Sequence, residues 1–417
     1  MSLVAFAAPL LSDNALAMVR AAATLPGVQL AVITHDAADC LRELQGTVRH
    51  WRVDNILDVE QLLWAANALS ERFGPLTRLF GAYEQLQGPL AEARQRLGIP
   101  GMSVETANNF RDKARMKTLL RESGLPCARH SLATSVAEAV AFAESNGFPI
   151  VVKPPAGAGA IATFRVDDMS ALRRALQLTV PSAEQPALLE EFVQGEEHSF
   201  ETVTIGGVHV WHSLTHYFPT PLTVIDNPWI QWSVVLPREV DAAPYDDIRQ
   251  AARRALDVLG MQTGISHMEW FRRPDGTIAI SEVAARPPGA QITQLMSYAH
   301  DFDVVQEWTR AMIFGEFRVP ERKYAAGAAF LRGQGDGRIT AVHGVEEINR
   351  ELGSLIVAAK SPQVGATPST SYEGDGWVIV RHRNTDVVEK AILRIVRTIR
   401  VELGRPAILD SLATPPR

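Results

Sequence analysis

The chain has 417 residues, of which 46% are hydrophobic and 21% are charged, and 47 acidic against 41 basic residues give a formal net charge of −6. This composition is typical of a globular protein of roughly two to four domains, and the acidic balance argues against a nucleic-acid binder that works through a basic surface. The two cysteines, Cys40 and Cys127, exclude a disulfide framework and a cysteine-type zinc site, and they favour a cytoplasmic location.

Strands and helices alternate over the first 100 residues. The pattern predicts strands over Leu3–Ala8 and Val28–Thr34, and helices over Asp13–Ala23 and Val59–Phe73. Such alternation favours a small parallel α/β layer. The first turn lacks the G-x-G-x-x-G pattern of a dinucleotide site, which argues against NAD binding.

The rest of the chain continues as mixed helices and strands. Residues 212–235 are aromatic and proline-rich, with little periodicity. The predicted elements are helices over Phe110–Ser123, 134–146, Met169–Leu178, Tyr245–Leu259, Asp303–Phe314 and Asp386–Leu403, and strands over Phe148–Lys153 and Ala187–Phe192.

The segment Ser266–Gly289 reads as a β-hairpin. Asp275-Gly276 is a strong signal for a two-residue turn, because both turn positions need a positive φ. A turn of that length pairs Pro274 with Thr277. We therefore expect two antiparallel strands joined by a tight turn.

Counting outward from this turn places Glu269 directly opposite Glu282. Like charges directly opposite on a sheet are destabilising, so the pair needs a reason. A divalent cation supplies one, because Mg²⁺ is held by one or two carboxylates together with substrate phosphates.

A lysine and small residues suggest a phosphate site. Lys153 ends an apolar strand and precedes a run of small residues, where backbone N–H groups can approach an anion closely. The alternative for such a run is a flexible turn. The residues of the run are Gly157, Ala158, Gly159 and Ala160.

Four residues at the end of the next strand or shortly after it could serve a nucleotide base and ribose. Glu190, Glu191 and Val193 follow an apolar pair and could offer backbone groups and a carboxylate to an adenine. Glu197 could accept hydrogen bonds from ribose hydroxyls. The alternatives are a solvated strand end and an ordinary surface acid.

Two basic residues have no role that their local sequence alone decides. Lys113 lies on a predicted helix, where a lone lysine usually faces solvent. Arg286 follows the hairpin, and its guanidinium would suit a carboxylate or a developing oxyanion, or else a salt bridge to a nearby acid. No nucleophile motif is present, and the scattered histidines, His267 among them, are expected to be structural or to lie at the rim of a site.

The order of four segments resembles the ATP-grasp superfamily, and the likeness covers roughly residues 105–315. The EVAAR form at the end of the fourth segment is similar to the L-amino-acid ligases, as is the region 320–417. The segments are RDKARMKTLLRESGLPCARH, FPIVVKPPAGAGA, LLEEFVQGEEHSFET and SHMEWFRRPDGTIAISEVAARPPG.

This resemblance implies a fold and a domain order. The fold class is α/β (α+β), with an ATP-grasp fold. A Rossmann-like pre-ATP-grasp domain is expected over residues 1–100 and the ATP-grasp region over 101–320, with a lid subdomain at about 146–205. A small β-rich domain is expected over 321–417.

The resemblance also implies roles for the matched residues. Many family members have Asn two residues after the second metal glutamate, whereas this chain has Ala284, which leaves open whether a second Mg²⁺ is held. The implied roles are ATP-phosphate binding by Lys113 and Lys153, a glycine-rich lid at Gly157–Ala160, adenine contact by Glu190, Glu191 and Val193, ribose contact by Glu197, Mg²⁺ or Mn²⁺ binding by Glu269 and Glu282, and stabilisation of an acyl-phosphate or tetrahedral intermediate by Arg286.

The expected activity is that of an ATP-dependent carboxylate–amine ligase that works through an acyl phosphate and releases ADP and phosphate. The alternatives are an ATP-dependent carboxylase, a ligase of the purine-biosynthesis type, and an ATP-binding protein without catalysis. The expected partners are a small carboxylate and a small amine, and a homodimer is expected by analogy. No nucleic-acid or membrane partner is expected, since no apolar run is long enough to cross a bilayer.

Overall fold

The computed structural model describes residues 1–155, 163–227 and 230–404. Its mixture of helices and strands confirms the predicted α/β (α+β) class. No helix of the described residues is long and apolar enough to cross a membrane. The strands are β1 Ser2–Ala8, β2 Val28–Thr34, β3 Val48–Arg52, β4 Leu76–Phe80, β5 His130–Ala133, β6 Ile150–Lys153, β7 Phe164–Val166, β8 Ala187–Glu191, β9 Glu196–Ile205, β10 Val208–Phe218, β11 Ser233–Leu236, β12 Gly264–Arg272, β13 Ile278–Ala284, β14 Ala325–Leu331, β15 Gly333–Gln334, β16 Arg338–His343, β17 Ile356–Lys360, β18 Gly376–His382 and β19 Arg400–Gly404.

The chain folds into two compact units. Unit 1 comprises Met1–Leu214, Val240–Gly289 and Phe302–Glu321, and unit 2 comprises Thr215–Glu239, Ala290–Asp301 and the described residues from Arg322 onward. The three-part division predicted from the sequence stays a prediction. The helices are α1 Asp13–Ala23, α2 Val59–Phe73, α3 Gln87–Leu97, α4 Val104–Arg111, α5 Lys113–Glu122, α6 Val136–Asn146, α7 Met169–Thr179, α8 Pro221–Asp226, α9 Asp246–Leu259, α10 Ile292–His300, α11 Val304–Phe314, α12 Val345–Leu352 and α13 Thr385–Thr398.

The N-terminal part of unit 1 is a parallel sheet with the strand order β3-β2-β1-β4. Residues 3–8 of β1 are all buried, as expected for a parallel strand that is covered on both faces. Ser12 caps α1 by accepting a hydrogen bond from the backbone N–H of Ala15. The predicted parallel layer is therefore confirmed.

A second sheet of unit 1 is antiparallel and has the order β5-β8-β6-β7. In its register, Val151 of β6 lies opposite Glu190 of β8. Because side chains alternate between the two faces of a sheet, Lys153 shares a face with Val151 and with Glu190. This register brings a lysine and a glutamate together as diagonal neighbours.

The predicted single helix over Phe110–Ser123 is wrong, because the chain breaks at Asp112 into α4 and α5. Asp112 has an extended backbone, and its carboxylate accepts hydrogen bonds from the backbone N–H groups of Ala114 and Arg115 at 2.9 and 3.0 Å. An aspartate of this kind is a strong helix N-cap. Lys113 is therefore the first residue of α5.

The hairpin of β12 and β13 pairs Glu269 with Glu282, as predicted, but by a different route. The predicted pairing of Pro274 with Thr277 is wrong, because the backbone of Arg273 bonds to Thr277 and three residues form the turn. Gly276 supplies the positive φ that this turn requires. A one-residue bulge at Ser281 then restores the expected register of the glutamates.

The structure departs from the sequence pattern in two further segments. Residues 212–235 show little periodicity, yet β10 continues to Phe218, and α8 and β11 follow. The predicted helix Asp386–Leu403 ends at Thr398, and Arg400–Gly404 forms β19, which pairs with β15 and β16. Pairing with distant strands overrides the local helical pattern at this point.

Candidate active site

Two facing glutamates form the centre of the candidate site. The side chains of Glu269 and Glu282 are 33% and 22% exposed, so both can reach a solvent-borne ligand. The ammonium Nζ of Lys113 lies 3.0 Å from Oε1 of Glu282, and the lysine side chain is only 7% exposed. The reading of Lys113 as a solvent-facing lysine is therefore wrong.

Glu190 lies between two buried lysines. Its Oε2 is 3.0 Å from Nζ of Lys153, and its Oε1 is 3.4 Å from Nζ of Lys117. Burial alone would raise the pKa of Glu190, but the two ammonium groups hold this pKa below its ordinary value. The carboxylate is therefore ionised and fixed in place, and the reading of a solvated strand end does not hold for Glu190.

Lys117 has no accessible surface and also donates to the carbonyl oxygen of Ser281, at 2.8 Å. Burial lowers the pKa of this lysine, while Glu190 opposes the shift. Since Ser281 is the bulged residue of β13, Lys117 links the lysine–glutamate cluster to the strand that carries Glu282.

His267 joins Glu201 to Glu269. Its Nδ1 lies 2.8 Å from Oε1 of Glu201, and its Nε2 lies 3.8 Å from Oε1 of Glu269. Burial would lower the pKa of His267, but the two carboxylates outweigh it and raise the pKa to about 9. The same imidazole helps to hold the pKa of Glu269 below its ordinary value against the effect of burial.

Glu197 is a buried carboxyl group on β9, in the same face as Glu269. Burial, followed by the charge of Glu269, raises the pKa of Glu197 well above its ordinary value. The reading of an ordinary surface acid is therefore wrong.

Arg286 forms an ion pair with a residue from the N-terminal part of unit 1. Its Nε lies 3.1 Å from Oε2 of Glu84, and its Nη1 donates to the carbonyl oxygen of Pro287 at 2.8 Å. Burial raises the pKa of Glu84, and the charge of Glu282 adds to this effect while Arg286 opposes it. The salt-bridge alternative thus holds, in a half-buried setting close to Glu282.

The other predicted nucleotide-binding residues lie outside the cluster around Glu269 and Glu282. Glu191 accepts a hydrogen bond from the backbone N–H of Arg129 at 3.2 Å and pairs with Arg273 at 3.2 Å. Val193 is half-buried just beyond β8. The predicted lid residues lie outside the described residues: Gly157, Ala158, Gly159 and Ala160.

The donor chemistry of the facing glutamates fits a magnesium ion that also binds phosphate oxygens. Across the described ranges, no three His, Cys, Asp or Glu side chains are arranged to hold a metal ion by themselves. Ala284, where many members of the resembled family have Asn, pairs with His267 across the strands. The protein thus offers two carboxylates for the metal, and a nucleotide would complete the ligand set.

Sequence reasoning missed four residues of this cluster. Lys117 lies one helical turn after Lys113 on the same face of α5, so that spacing could have revealed it. His267 was expected to be structural or at the rim, yet it contacts Glu269. Glu201 lies four residues after Glu197 on the same face of β9, so strand alternation could have revealed it. Glu84 reaches the cluster only through tertiary packing, and no local pattern marks it.

Comparison with known proteins finds a domain match and several similar proteins. The ATP-grasp domain model matches residues 118–295. The alanine–anticapsin ligase of Bacillus subtilis strain 168 is 25% identical over 274 residues, which are 59% of this chain and 57% of that protein. The L-arginine-specific L-amino acid ligase of Bacillus subtilis is 24% identical over 306 residues, which are 71% of each protein.

Solved structures agree on the fold. An L-amino acid ligase from Bacillus licheniformis has a TM-score of 0.78 at 19% identity, covering 97% of this chain and 99% of that one. The N5-carboxyaminoimidazole ribonucleotide synthetase from Thermotoga maritima has a TM-score of 0.71 at 18% identity, covering 97% and 100%. Residues 118–295 thus match the ATP-grasp domain, the structure has the predicted ATP-grasp fold, and L-amino acid ligases are among the proteins that the chain is similar to.

Proposed function

We propose that the protein is an ATP-dependent carboxylate–amine ligase that joins two small molecules, both of them amino acids, through an amide bond. The observation that supports this most is the ion pair between Lys113 and Glu282, beside Arg286 and Glu84. Lys113 is a cation suited to phosphate, Glu282 is a carboxylate suited to a metal, and Arg286 is a guanidinium suited to an anion. All three lie in one cluster. The two L-amino acid ligases among the relatives support the choice of substrate class.

In this proposal ATP binds along the two lysine clusters. Lys113 and Lys153 bind its phosphates, and Gly157–Ala160 closes over them. Glu190, Glu191 and Val193 contact the adenine. Glu197 contacts the ribose, because its carboxyl oxygens can accept hydrogen bonds from the hydroxyls.

Glu269 and Glu282 would hold Mg²⁺, or alternatively Mn²⁺. The bound cation would neutralise charge on the phosphate oxygens during transfer. His267, which is held by Glu201 on its other nitrogen, fixes the orientation of Glu269.

The chemistry needs no protein nucleophile. The first amino acid attacks the γ-phosphate of ATP through its carboxylate, so that an acyl phosphate and ADP form. The amine of the second amino acid then attacks the acyl carbon, and phosphate leaves as the amide bond forms. In this proposal Arg286 stabilises the oxyanion of that step. Exclusion of water matters, because acyl phosphates hydrolyse readily.

A second candidate is a purine-type synthetase or an ATP-dependent carboxylase. It is favoured by the fold likeness to the N5-carboxyaminoimidazole ribonucleotide synthetase. Such an enzyme would consume ATP with bicarbonate and without any amino acid. A protein that binds ATP without catalysis would release no phosphate with either.

The test is a screen of amino-acid pairs for phosphate release, with the products identified by mass. We expect release that depends on both amino acids. Glu282→Gln should abolish turnover because it weakens metal binding, whereas Glu43→Gln, which removes an exposed carboxylate of a surface ion pair, should leave it unchanged. Release that needs bicarbonate and no amino acid would overturn the proposal in favour of a carboxylase.

A further inference from the structure

A cavity of about 340 Å³ lies within unit 1 and has three arginines in its wall. Arg78 comes from β4, Arg94 from α3, and Arg286 from the segment after β13. Among the described residues that line this cavity, none is an aspartate or a glutamate. The wall therefore carries an excess of positive charge.

Arg94 is a buried guanidinium whose partners are neutral. It is only 5% exposed, and its two terminal nitrogens donate to the carbonyl oxygens of Leu79 and Met102 at 3.0 and 3.1 Å. Its Nε has no hydrogen-bond partner. Burial lowers its pKa to about 10, so the group stays charged at neutral pH. A buried charge is costly unless an opposite charge compensates it, and an anion in the cavity would do so.

Arg78 is similarly placed. It is half-buried, and its Nη1 donates to the carbonyl oxygen of Thr77 at 2.8 Å. Of the three arginines, Arg286 alone has a carboxylate partner among the described residues, and that partner is Glu84. The positive charges of Arg78 and Arg94 thus have only neutral partners among the described residues.

The remaining wall is largely apolar. A pocket with a few charged groups and an apolar lining is typical of small-molecule sites, and its volume falls within their usual range. The combination suits a molecule that carries both a carboxylate and an apolar side chain. The main apolar residues are Leu79, Phe80, Met102, Ile265, Trp308 and Met312.

The ligand inferred for this cavity rests on the proposed function. A ligase that joins two amino acids activates one carboxylate and leaves the other unreacted, and that second carboxylate keeps its charge throughout. Arg286 belongs both to this cavity and to the candidate active site. We propose that the cavity binds the acceptor amino acid, with Arg78 and Arg94 binding its unreacted carboxylate and the apolar wall binding its side chain.

The test compares free amino acids with their carboxamides. The binding of L-leucine, L-methionine and L-phenylalanine, and of their amides, is measured by calorimetry on the full chain with Mg²⁺ and a non-hydrolysable ATP analogue. We expect at least one amino acid to bind about tenfold more tightly than its amide, which corresponds to one charge-assisted contact. Arg78→Ala should remove this preference, whereas Arg42→Ala, at an exposed arginine of the same unit, should keep it.

Several results would overturn the inference: no binding of any amino acid, equal binding of acid and amide, or an equal loss of both in Arg78→Ala. If Arg78→Ala does not fold, Arg94→Lys replaces it, and the acid preference should again fall about tenfold. The readout does not require turnover. If the protein binds the free amino acid more tightly than its amide but releases no phosphate, the ligase proposal alone is overturned. If it turns over but binds the acid and the amide equally, the cavity proposal alone is overturned.

Discussion

Lys113 and Glu282 form an ion pair at a place where ATP and a metal would each need one of them. Their atoms are 3.0 Å apart, and both side chains are largely buried. A phosphate would compete with Glu282 for Lys113, and Mg²⁺ would compete with Lys113 for Glu282. Because each ligand releases the partner that the other needs, we expect nucleotide and metal to bind cooperatively.

Replacing Lys113 by Met tests this exchange. Without nucleotide, Lys113→Met should strengthen Mg²⁺ binding, because Glu282 loses the cation of its ion pair. With nucleotide, the same variant should weaken ATP binding by about tenfold or more, since a charge-assisted phosphate contact is lost. Calorimetric titration of metal and nucleotide measures both. Weaker Mg²⁺ binding in the variant without nucleotide would contradict the exchange.

His267 predicts how stability depends on pH. Its pKa is raised to about 9 in the folded protein, against an ordinary value of about 6.5, so the folded state binds the extra proton in between. The contribution of His267 to the free energy of unfolding should therefore be fully present below about pH 6.5 and should be lost as the pH rises towards about 9. Denaturant unfolding from pH 6 to 9 with EDTA measures the slope. His267→Gln should flatten the slope, and an unchanged slope would count against the Glu201–His267–Glu269 contact.

At the scale of elements, the break between α4 and α5 is what directs Lys113 at the site. Asp112 caps α5 and makes Lys113 its first residue. Lys117 follows four residues later on the same face of α5 as Lys113, and its side chain contacts Glu190 of β8. One capping residue thus sets the direction of two lysines of the candidate site.

Asp112→Ala should lower the free energy of unfolding by about 1 kcal/mol, as the loss of an N-cap does. It should also raise the KM for ATP, because the start of α5 loses its position. Asp58→Ala is the matched control, since Asp58 caps α2 away from the site. We expect a similar loss of stability there, with no change in KM. Equal changes of KM in both variants would contradict the positioning role.

The hairpin shows what local sequence can and cannot predict. The facing glutamates were predicted from an incorrect turn, and the pairing held because a bulge at Ser281 cancels the extra turn residue. Nothing in the neighbouring sequence marks this bulge. The carbonyl oxygen of Ser281 accepts a hydrogen bond from Lys117, a contact that exists only in the folded chain.

At the scale of the whole molecule, the regular N-terminal elements were predictable because hydrophobic periodicity is strong there. The end of the chain was not, since β19 depends on pairing with β15 and β16. The matched motifs indicated Lys113, Lys153, Glu190, Glu269, Glu282 and Arg286. Glu84 could not be predicted, because tertiary packing alone brings it to the cluster. Glu201 shares a strand face with Glu197, but its contact with His267 depends on the pairing of β9 with β12.

The central claim is that a substrate carboxylate attacks ATP, and the fate of its oxygen tests this most directly. The enzyme is supplied with an amino-acid pair that supports turnover, with both carboxylate oxygens of the first amino acid labelled with ¹⁸O, and the released phosphate is examined by mass spectrometry. Because the acyl phosphate forms through a carboxylate oxygen, one ¹⁸O atom should appear in each phosphate. Phosphate without the label would contradict the proposed ligase mechanism.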